Sequence, residues 1–415
     1  MDNSRKAQLI LQWLKEHGYK QTAESLKAEC TLNVDSTTAK TGALDEIFDL
    51  HAEAEVSHLR SEEKVVDYVQ NGDGVHTNQE CLSLDSWTGG VPVLCSRLTP
   101  QGWLLLSCAR KLQFFGQLKL PIGSSAAGIP SKMLRHGGGV LGVAQHPKKA
   151  NLVLSNSMDK SCRLMDMTAL FAEEGSGEVD DVKDLQVLSD HSKYVVKAVF
   201  SACGRWLATA SYDHTVCIYS ADSDDFTFFQ LRKQTSFRGS AETLCWHPTK
   251  PLLVVAVRND HMLHTFSCSD DAISKDSELN LNALGDNYVS FTALDITFDP
   301  SGNLLSVATD KDRVILVHAT SGKQLANLYG CSNDEYSQPR HCWHPSGMYI
   351  YCTSQDKCII VWEVATQREV ARLVGHTGML RDVSYSPELD VLVSSAMDGV
   401  VKIWKHSPNG VQAVA

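Results

Sequence analysis

Six aspartates are each followed, six residues later, by an aromatic or large apolar residue: Asp159/Met165, Asp213/Tyr219, Asp260/Phe266, Asp310/Leu316, Asp356/Trp362 and Asp398/Trp404. An aspartate in a tight turn between strands accepts hydrogen bonds from its own backbone and can take another from a nearby histidine. His191 stands upstream of Asp213, with Thr209 or Ser211 between them. His376 stands upstream of Asp398, with Ser394 between and Trp404 placed to cover the set. The chemistry this pattern predicts is structural: a hydrogen-bonded network that fixes a turn.

Other candidates for chemistry are weaker. Gly137-Gly138-Gly139-Val140-Leu141-Gly142 satisfies G-x-G-x-x-G. A strand and the turn His146-Pro147 follow it, whereas phosphate binding needs a helix N-terminus, so it reads as a loop leading into a strand. The sixteen histidines invite a metal reading. His136, His191 and His376 are explained as members of turn networks, and His146, His247 and His344 fall at strand turns of different units. No H-E-x-x-H and no paired Cys/His spacing is present, so no zinc site is expected. There is no Walker loop and no serine elbow. No catalytic residue, cofactor or metal is expected, and the chain does not read as an enzyme.

The elements that must position the aspartates repeat with them. Successive spacings are 54, 47, 50, 46 and 42 residues. A seventh, worn unit, WLLLSCARKLQFF, keeps Phe115 at the aromatic position and has Ala109 in place of the aspartate. Upstream of each unit lies a Pro or Gly turn: Thr99-Pro100, His146-Pro147, Cys203-Gly204, His247-Pro248, Ser301-Gly302, Ser346-Gly347 and Ser386-Pro387. Periods in the forties with three or four short strands mark propeller blades. The expected fold class is mostly β: a seven-bladed β-propeller over 79–410, with six or eight blades as alternatives, preceded by a short α-helical region. The stretch Gln79–Ser86 alternates and is expected to close the ring beside Lys402–Lys405, which removes exposed sheet edges.

The repeat resembles the WD-repeat family, with its Gly-His at the start of a unit and Trp-Asp at its end. Gly375-His376 and the near-match Trp362-Glu363 stand here. The resemblance covers roughly residues 80–407 and is strongest in units 3, 6 and 7. It implies a structural network of Asp159, His191, Asp213, Asp260, Asp310, Asp356, Trp362, His376, Asp398 and Trp404.

Residues 4–32 read as two short helices. Ser4 can cap the first, whose Leu9, Ile10, Trp13 and Leu14 recur at helical spacing, and Gly18 ends it. Ala23, Leu26 and Cys30 share one face of the second. A unit of this size lacks enough core to stand alone, so pairing with a second copy is the expected remedy. The stretch resembles the LisH motif, in which two such hairpins form a four-helix dimer; the matching residues are Ile10, Leu14, Gly18, Tyr19, Ala23, Leu26, Glu29 and Cys30. That resemblance implies a homodimer seam of Ile10, Trp13, Leu14, Tyr19, Ala23 and Leu26. The alternative is a helical cap on the propeller. The domains expected are thus a hairpin over 1–35, a helical linker over 36–75 and the propeller. Apolar residues over 42–70 suit a plain connecting helix better than a long coiled coil, because His51 and His58 interrupt the heptad.

Composition narrows the partners. The chain has 415 residues, is 43% hydrophobic and carries a net charge of −11, which argues against nucleic acid as the main ligand. No apolar run is long enough to span a membrane, and no signal-peptide pattern opens the chain. Thirteen scattered cysteines without C-x-x-C read as reduced thiols in a cytoplasmic protein, with nuclear or centrosomal placement as further options. Insertions at 117–131, 173–184 and 267–287 read as solvated loops, the acidic 173–184 also as a dock for a basic partner.

Recognition of proteins or peptides is expected at one propeller face. Two sets of residues should ring it: Met158, Tyr212, Asn259, Thr309, Gln355 and Met397, each before a turn aspartate, and Leu141, Val196, Glu242, Leu294, Pro339 and Arg381, near the starts of inner strands. Tyr212, Asn259, Gln355, Met397, Glu242 and Arg381 are the chosen contacts. Families with a LisH plus WD-repeat plan act in dynein and centrosome regulation, ubiquitin-ligase assembly, splicing and corepression. The resemblance therefore implies a dimeric scaffold of the microtubule, dynein or centrosome type, or alternatively a ubiquitin-ligase subunit or a nuclear scaffold. Cullin-type receptors usually carry a basic residue two places after the Trp-Asp pair; Thr168, Ala365 and Ser407 stand here instead.

Overall fold

The computed structural model describes residues 65–67, 69, 75–84, 88, 90–108, 112–117, 132–168, 182–270, 272–334 and 336–406, with backbone alone at 67, 112–117 and 132–135. Ile10, Trp13, Leu14, Tyr19, Ala23 and Leu26 lie outside the described residues, as does the expected helix over 42–70 apart from a 3-10 turn at Val65–Asp67.

The described strands form seven four-stranded antiparallel sheets. The innermost strands are Val93–Leu98, Val140–Gln145, Val195–Phe200, Ala241–Trp246, Ala293–Phe298, His341–Trp343 and Leu380–Ser386. Each adjoins the next, and the last adjoins the first, so the sheets stand as blades around a central channel. This is a β-propeller; its blades are numbered here from Val93–Leu98.

Burial explains the strand sequences. The second strand of a blade is covered on both faces by neighbouring blades. Accordingly Leu152–Ser157, Trp206–Ser211, Leu304–Thr309 and Val391–Ala396 are buried throughout and use small or apolar residues. The outermost strand meets solvent: Phe229–Ser236 is mostly exposed and polar. The core is therefore a set of clusters between blades, such as Trp206, Ile218, Leu244, Trp246, Val255 and Phe266 between blades 3 and 4. Outer strands can be so polar that they resemble loops. The segment 267–287, expected as a loop, contains the outer strand of blade 4, Ile273–Asn280.

Blade 7 takes its outer strand from the other end of the sequence. Gln79–Leu84 pairs antiparallel with Val401–Lys405, Gln79 opposite Lys405 and Leu84 opposite Val401. Lys402 Nζ lies 2.8 Å from Glu80 Oε2, and Thr88 Oγ1 donates to the Gly399 carbonyl at 2.5 Å. This is the closure anticipated from the alternation of Gln79–Ser86.

Six inner strands carry a β-bulge at the same place. The ladder skips Leu94, Leu141, Val196, Glu242, Leu294 and Arg381. A bulge re-aims the residue it inserts, and here it sets one extra side chain per blade at the same end of the ring.

Candidate partner-binding mouth of the propeller

The turn networks at that end are built from neutral histidines. In blade 7, Trp404 Nε1 donates to Ser394 Oγ at 2.8 Å, Ser394 lies 2.8 Å from His376 Nε2, and His376 Nδ1 lies 3.2 Å from Asp398 Oδ2. Asp398 also accepts the amides of Thr377, Gly378 and Val400. Blade 3 repeats this with Thr209, 2.7 Å from His191 Nε2, and Asp213, 3.1 Å from His191 Nδ1; Ser211 instead accepts the Asp213 amide. Blade 2 repeats it with Ser155, His136 and Asp159. Burial pushes the pKa of His136, His191 and His376 down, against the pull of their aspartates. Burial opposes ionisation of Asp159 and Asp213 too, but donated hydrogen bonds outweigh it and lower both to about 2. A neutral imidazole donating from Nδ1 to a carboxylate must accept at Nε2, so every hydrogen bond in the chain runs one way.

A hydroxyl, an imidazole and a carboxylate in line also describe a hydrolase triad. Ser394, Thr209 and Ser155 are each 0% exposed, so no substrate reaches them. In blades 2, 3 and 7 the arrangement fastens the loop leading into the blade to the turn leaving its second strand.

The remaining three aspartates depart from this plan. Asp260 caps the Met262 amide at 2.9 Å, as a turn aspartate should, but turns its other oxygen to His264 Nε2 at 3.0 Å. Phe237 packs on the His264 ring there, with centroids 4.9 Å apart. Asp356 meets Arg372 Nη1 at 2.9 Å, and Trp362 Nε1 donates to the Tyr329 carbonyl at 2.8 Å, because Cys352 replaces the hydroxyl residue. Asp310 is shifted by one residue along the ladder. Its amide bonds the Thr292 carbonyl at 3.1 Å, the bond that the residue before the aspartate makes in other blades.

That same bond locates the rim. Met158 donates its amide to Gly139, Tyr212 to Tyr194, Gln355 to Ser332 and Met397 to Met379, at 2.8–3.1 Å. In blade 4 Arg258 makes it, to Ser240 at 2.9 Å. Asn259 is one residue extra in this hairpin and sits at φ 56°. The rim positions expected for Asn259 and Thr309 therefore belong to Arg258 and Asp310. Glu242, expected to face a partner, is buried, with Arg258 Nε at 2.7 Å and Ser240 Oγ at 2.7 Å. Met158, Tyr194, Met379 and Met397 are exposed, and Tyr194 stands edge-on to Tyr212 at 6.2 Å. Arg381 is part-buried, its Nη2 donating to Gln338 Oε1 at 2.8 Å.

Below the rim the channel encloses about 280 Å³, lined in part by Arg97, Lys197, Asp295, Arg340 and Asp382. Asp295 receives Lys197 Nζ at 2.6 Å, Arg340 Nη1 at 3.2 Å and Thr243 Oγ1 at 3.2 Å, thus joining blades 3, 4, 5 and 6. Burial resists its ionisation, but Lys197, His341 and Arg340 hold its pKa well below the usual carboxylate range. Asp382 takes the Ser96 amide at 2.9 Å and Arg97 Nη1 at 2.5 Å, tying blade 7 to blade 1. Sequence reasoning passed over this belt. Its one signal was a charged residue inside a largely apolar strand, Lys197 in VVKAVF and Asp295 in ALDITF. Among the described residues no cluster of His, Cys, Asp or Glu could hold a metal, and no helix is long and apolar enough to cross a membrane.

Four-stranded blades around a channel, three of them latched by the same His–Asp–hydroxyl chain, define a repeat propeller. Residues 182–220, 328–363 and 367–405 match the family described as WD domain, G-beta repeat. Each stretch begins on the outer strand of one blade and runs through the first three strands of the next, blades 3, 6 and 7, so the chain carries WD repeats. It is similar to a LEC14B homolog of Prunus armeniaca, 42% identical over 14% of this chain and 12% of that one. It is also similar to DDB1- and CUL4-associated factor 10 of Xenopus tropicalis, 29% identical over 26% and 23%. Similarity to Pre-mRNA-processing factor 19 of Oryza sativa subsp. japonica is 23% identity over 64% of this chain and 38% of the relative. The matches span well under half the length of each of these relatives.

Proposed function

We propose that this protein is a non-enzymatic scaffold whose propeller rim takes up protein partners, and whose N-terminal hairpin pairs two copies. The observation that carries the rim reading is the contrast at one end of the ring. The histidines and hydroxyls of the latches are buried, while Met158, Tyr194, Met379, Met397 and the Arg258 side chain at the same end are accessible. Such residues are typical interface anchors. Two propellers joined through the hairpin present two identical rims, and weak sites so linked gain affinity through effective concentration.

The LisH plus WD-repeat plan supports a complex of the microtubule, dynein or centrosome type, working in the cytoplasm. A ubiquitin-ligase subunit is the second reading. It is favoured by the similarity to a relative whose name places it with DDB1 and CUL4, and opposed by Thr168, Ala365 and Ser407 where a basic residue is usual. Affinity purification tests both. The full-length protein is compared with a version lacking residues 1–75 and with Met158→Ser/Met397→Ser. Loss of the same partners in the rim variant supports rim recognition. An unchanged set sinks it, and the partners recovered choose between the two complexes.

A further inference from the structure

Among the residues lining the channel three cations, Arg97, Lys197 and Arg340, face two carboxylates, Asp295 and Asp382, although the chain carries a net charge of −11. In each described pair of Lys or Arg with a carboxylate that the belt and Arg258 make, the carboxylate is buried and the cation is the more accessible partner. Side-chain exposure is 3% for Asp295 against 20% for both Lys197 and Arg340, 5% for Asp382 against 38% for Arg97, and 4% for Glu242 against 40% for Arg258. Asp295 is also shared between two cations, so one positive charge there is left over. Arg381, at the bulge of blade 7, is in none of the described ion pairs. Its buried Nε has no hydrogen-bond partner. Burial, and then the charge of Arg340, push its pKa down. Beside it on the same blade stand the exposed Met379 and Met397.

We infer that the mouth receives an anionic side chain from an extended segment of a protein partner, held near Arg381 and Arg340, while a large apolar residue of that segment rests on Met379 and Met397. An incoming anion would meet cations whose own counter-charges lie behind them, and would supply the carboxylate or phosphate that Arg381 lacks. The inference rests on the rim reading above and names the chemistry of its partner.

Fluorescence anisotropy with full-length protein tests it. The probes are a labelled peptide of glutamates around one phenylalanine, its glutamine counterpart and its phosphoserine counterpart. We expect the glutamate or phosphoserine peptide to bind at least about tenfold more tightly than the glutamine one, with the advantage shrinking as salt rises. The tighter of the two anionic peptides identifies the source of the charge. Arg381→Gln should lose most of that advantage. Arg258→Gln, on the exposed rim, should lose part of it and covers the case in which Arg381→Gln fails to fold. Equal binding of all three peptides, or an advantage that survives both variants, overturns the proposal. The rim reading would still stand if Met158→Ser/Met397→Ser sheds the co-purifying partners, so the two failures are distinguishable.

Discussion

Asp213 holds four donors at once: the amides of Ser192 and Thr215, the Thr215 hydroxyl and His191. Its removal strands buried donors and frees the His191 ring. Asp213→Ala should therefore cost about 1–3 kcal/mol of stability. Asp260 caps one amide and binds a histidine within its own hairpin, without latching a lead-in loop, so Asp260→Ala should cost less. Paired denaturant titrations check the ranking, and equal losses would count against the latch. At this scale the sequence was legible where a histidine stood upstream, as at His191 and His376. It misled at Asp310, whose spacing to Leu316 is kept while both residues slip by one against the ladder. Only the backbone register shows that slip, because a spacing rule has no origin.

Neighbouring blades are locked at the opposite end by turns. The His146 ring lies 3.2 Å through Nε2 from the Gly204 carbonyl of the next blade, between Phe200 and Phe226 at 5.0 and 4.4 Å. Gly204 has φ +77°, and a Cβ there would meet that ring at 2.5 Å. Gly347 has φ +72° but its nearest neighbour would be Pro300 at 3.8 Å. Gly347→Ala should cost only left-handed strain, about 1–2 kcal/mol. Gly204→Ala adds a clash with a ring that the two phenylalanines hold in place, and should cost more. Thermal melts of the two variants decide it, and equal shifts would refute the inter-blade lock. Strands were legible where burial forced apolar runs. Ile273–Asn280 was not, because an outer strand satisfies its backbone on one side and otherwise meets water, so its side chains need no core pattern.

Closure by Gln79–Leu84 makes the ring one cooperative body, and its titrating groups act on the whole. His136, His191 and His376 have depressed pKa values. In acid the unfolded chain takes up protons that the fold refuses. Stability is then full above the ordinary histidine value of 6.5 and falls as pH drops below it. Asp159 and Asp213, lowered from 3.8 to about 2, add a further loss of the same sign between those values. The melting temperature should be level above neutrality and decline steadily below about pH 6.5. A melting temperature independent of pH from 7.5 to 5 would contradict the neutral-imidazole network. For the N-terminal hairpin, Leu14→Asp should leave a folded monomer by burying a charge in the proposed seam. Light scattering that gives an unchanged mass would end the dimer proposal.

The sequence alone determined the repeat, the strand-rich class and the turns. Each of these follows from local periodicity and from the conformations that Asp, Pro and Gly permit. Tertiary structure alone decided which charged residues meet across the channel. The belt of Arg97, Lys197, Asp295, Arg340 and Asp382 joins residues up to 285 positions apart. The exchange of Asn259 for Arg258 on the rim, and the burial of Glu242 behind Arg258, depend on where bulges and an inserted residue fall in the ladders. Local pattern fixes how a strand is made, but charge pairing across a channel depends on the closed ring that brings distant strands side by side.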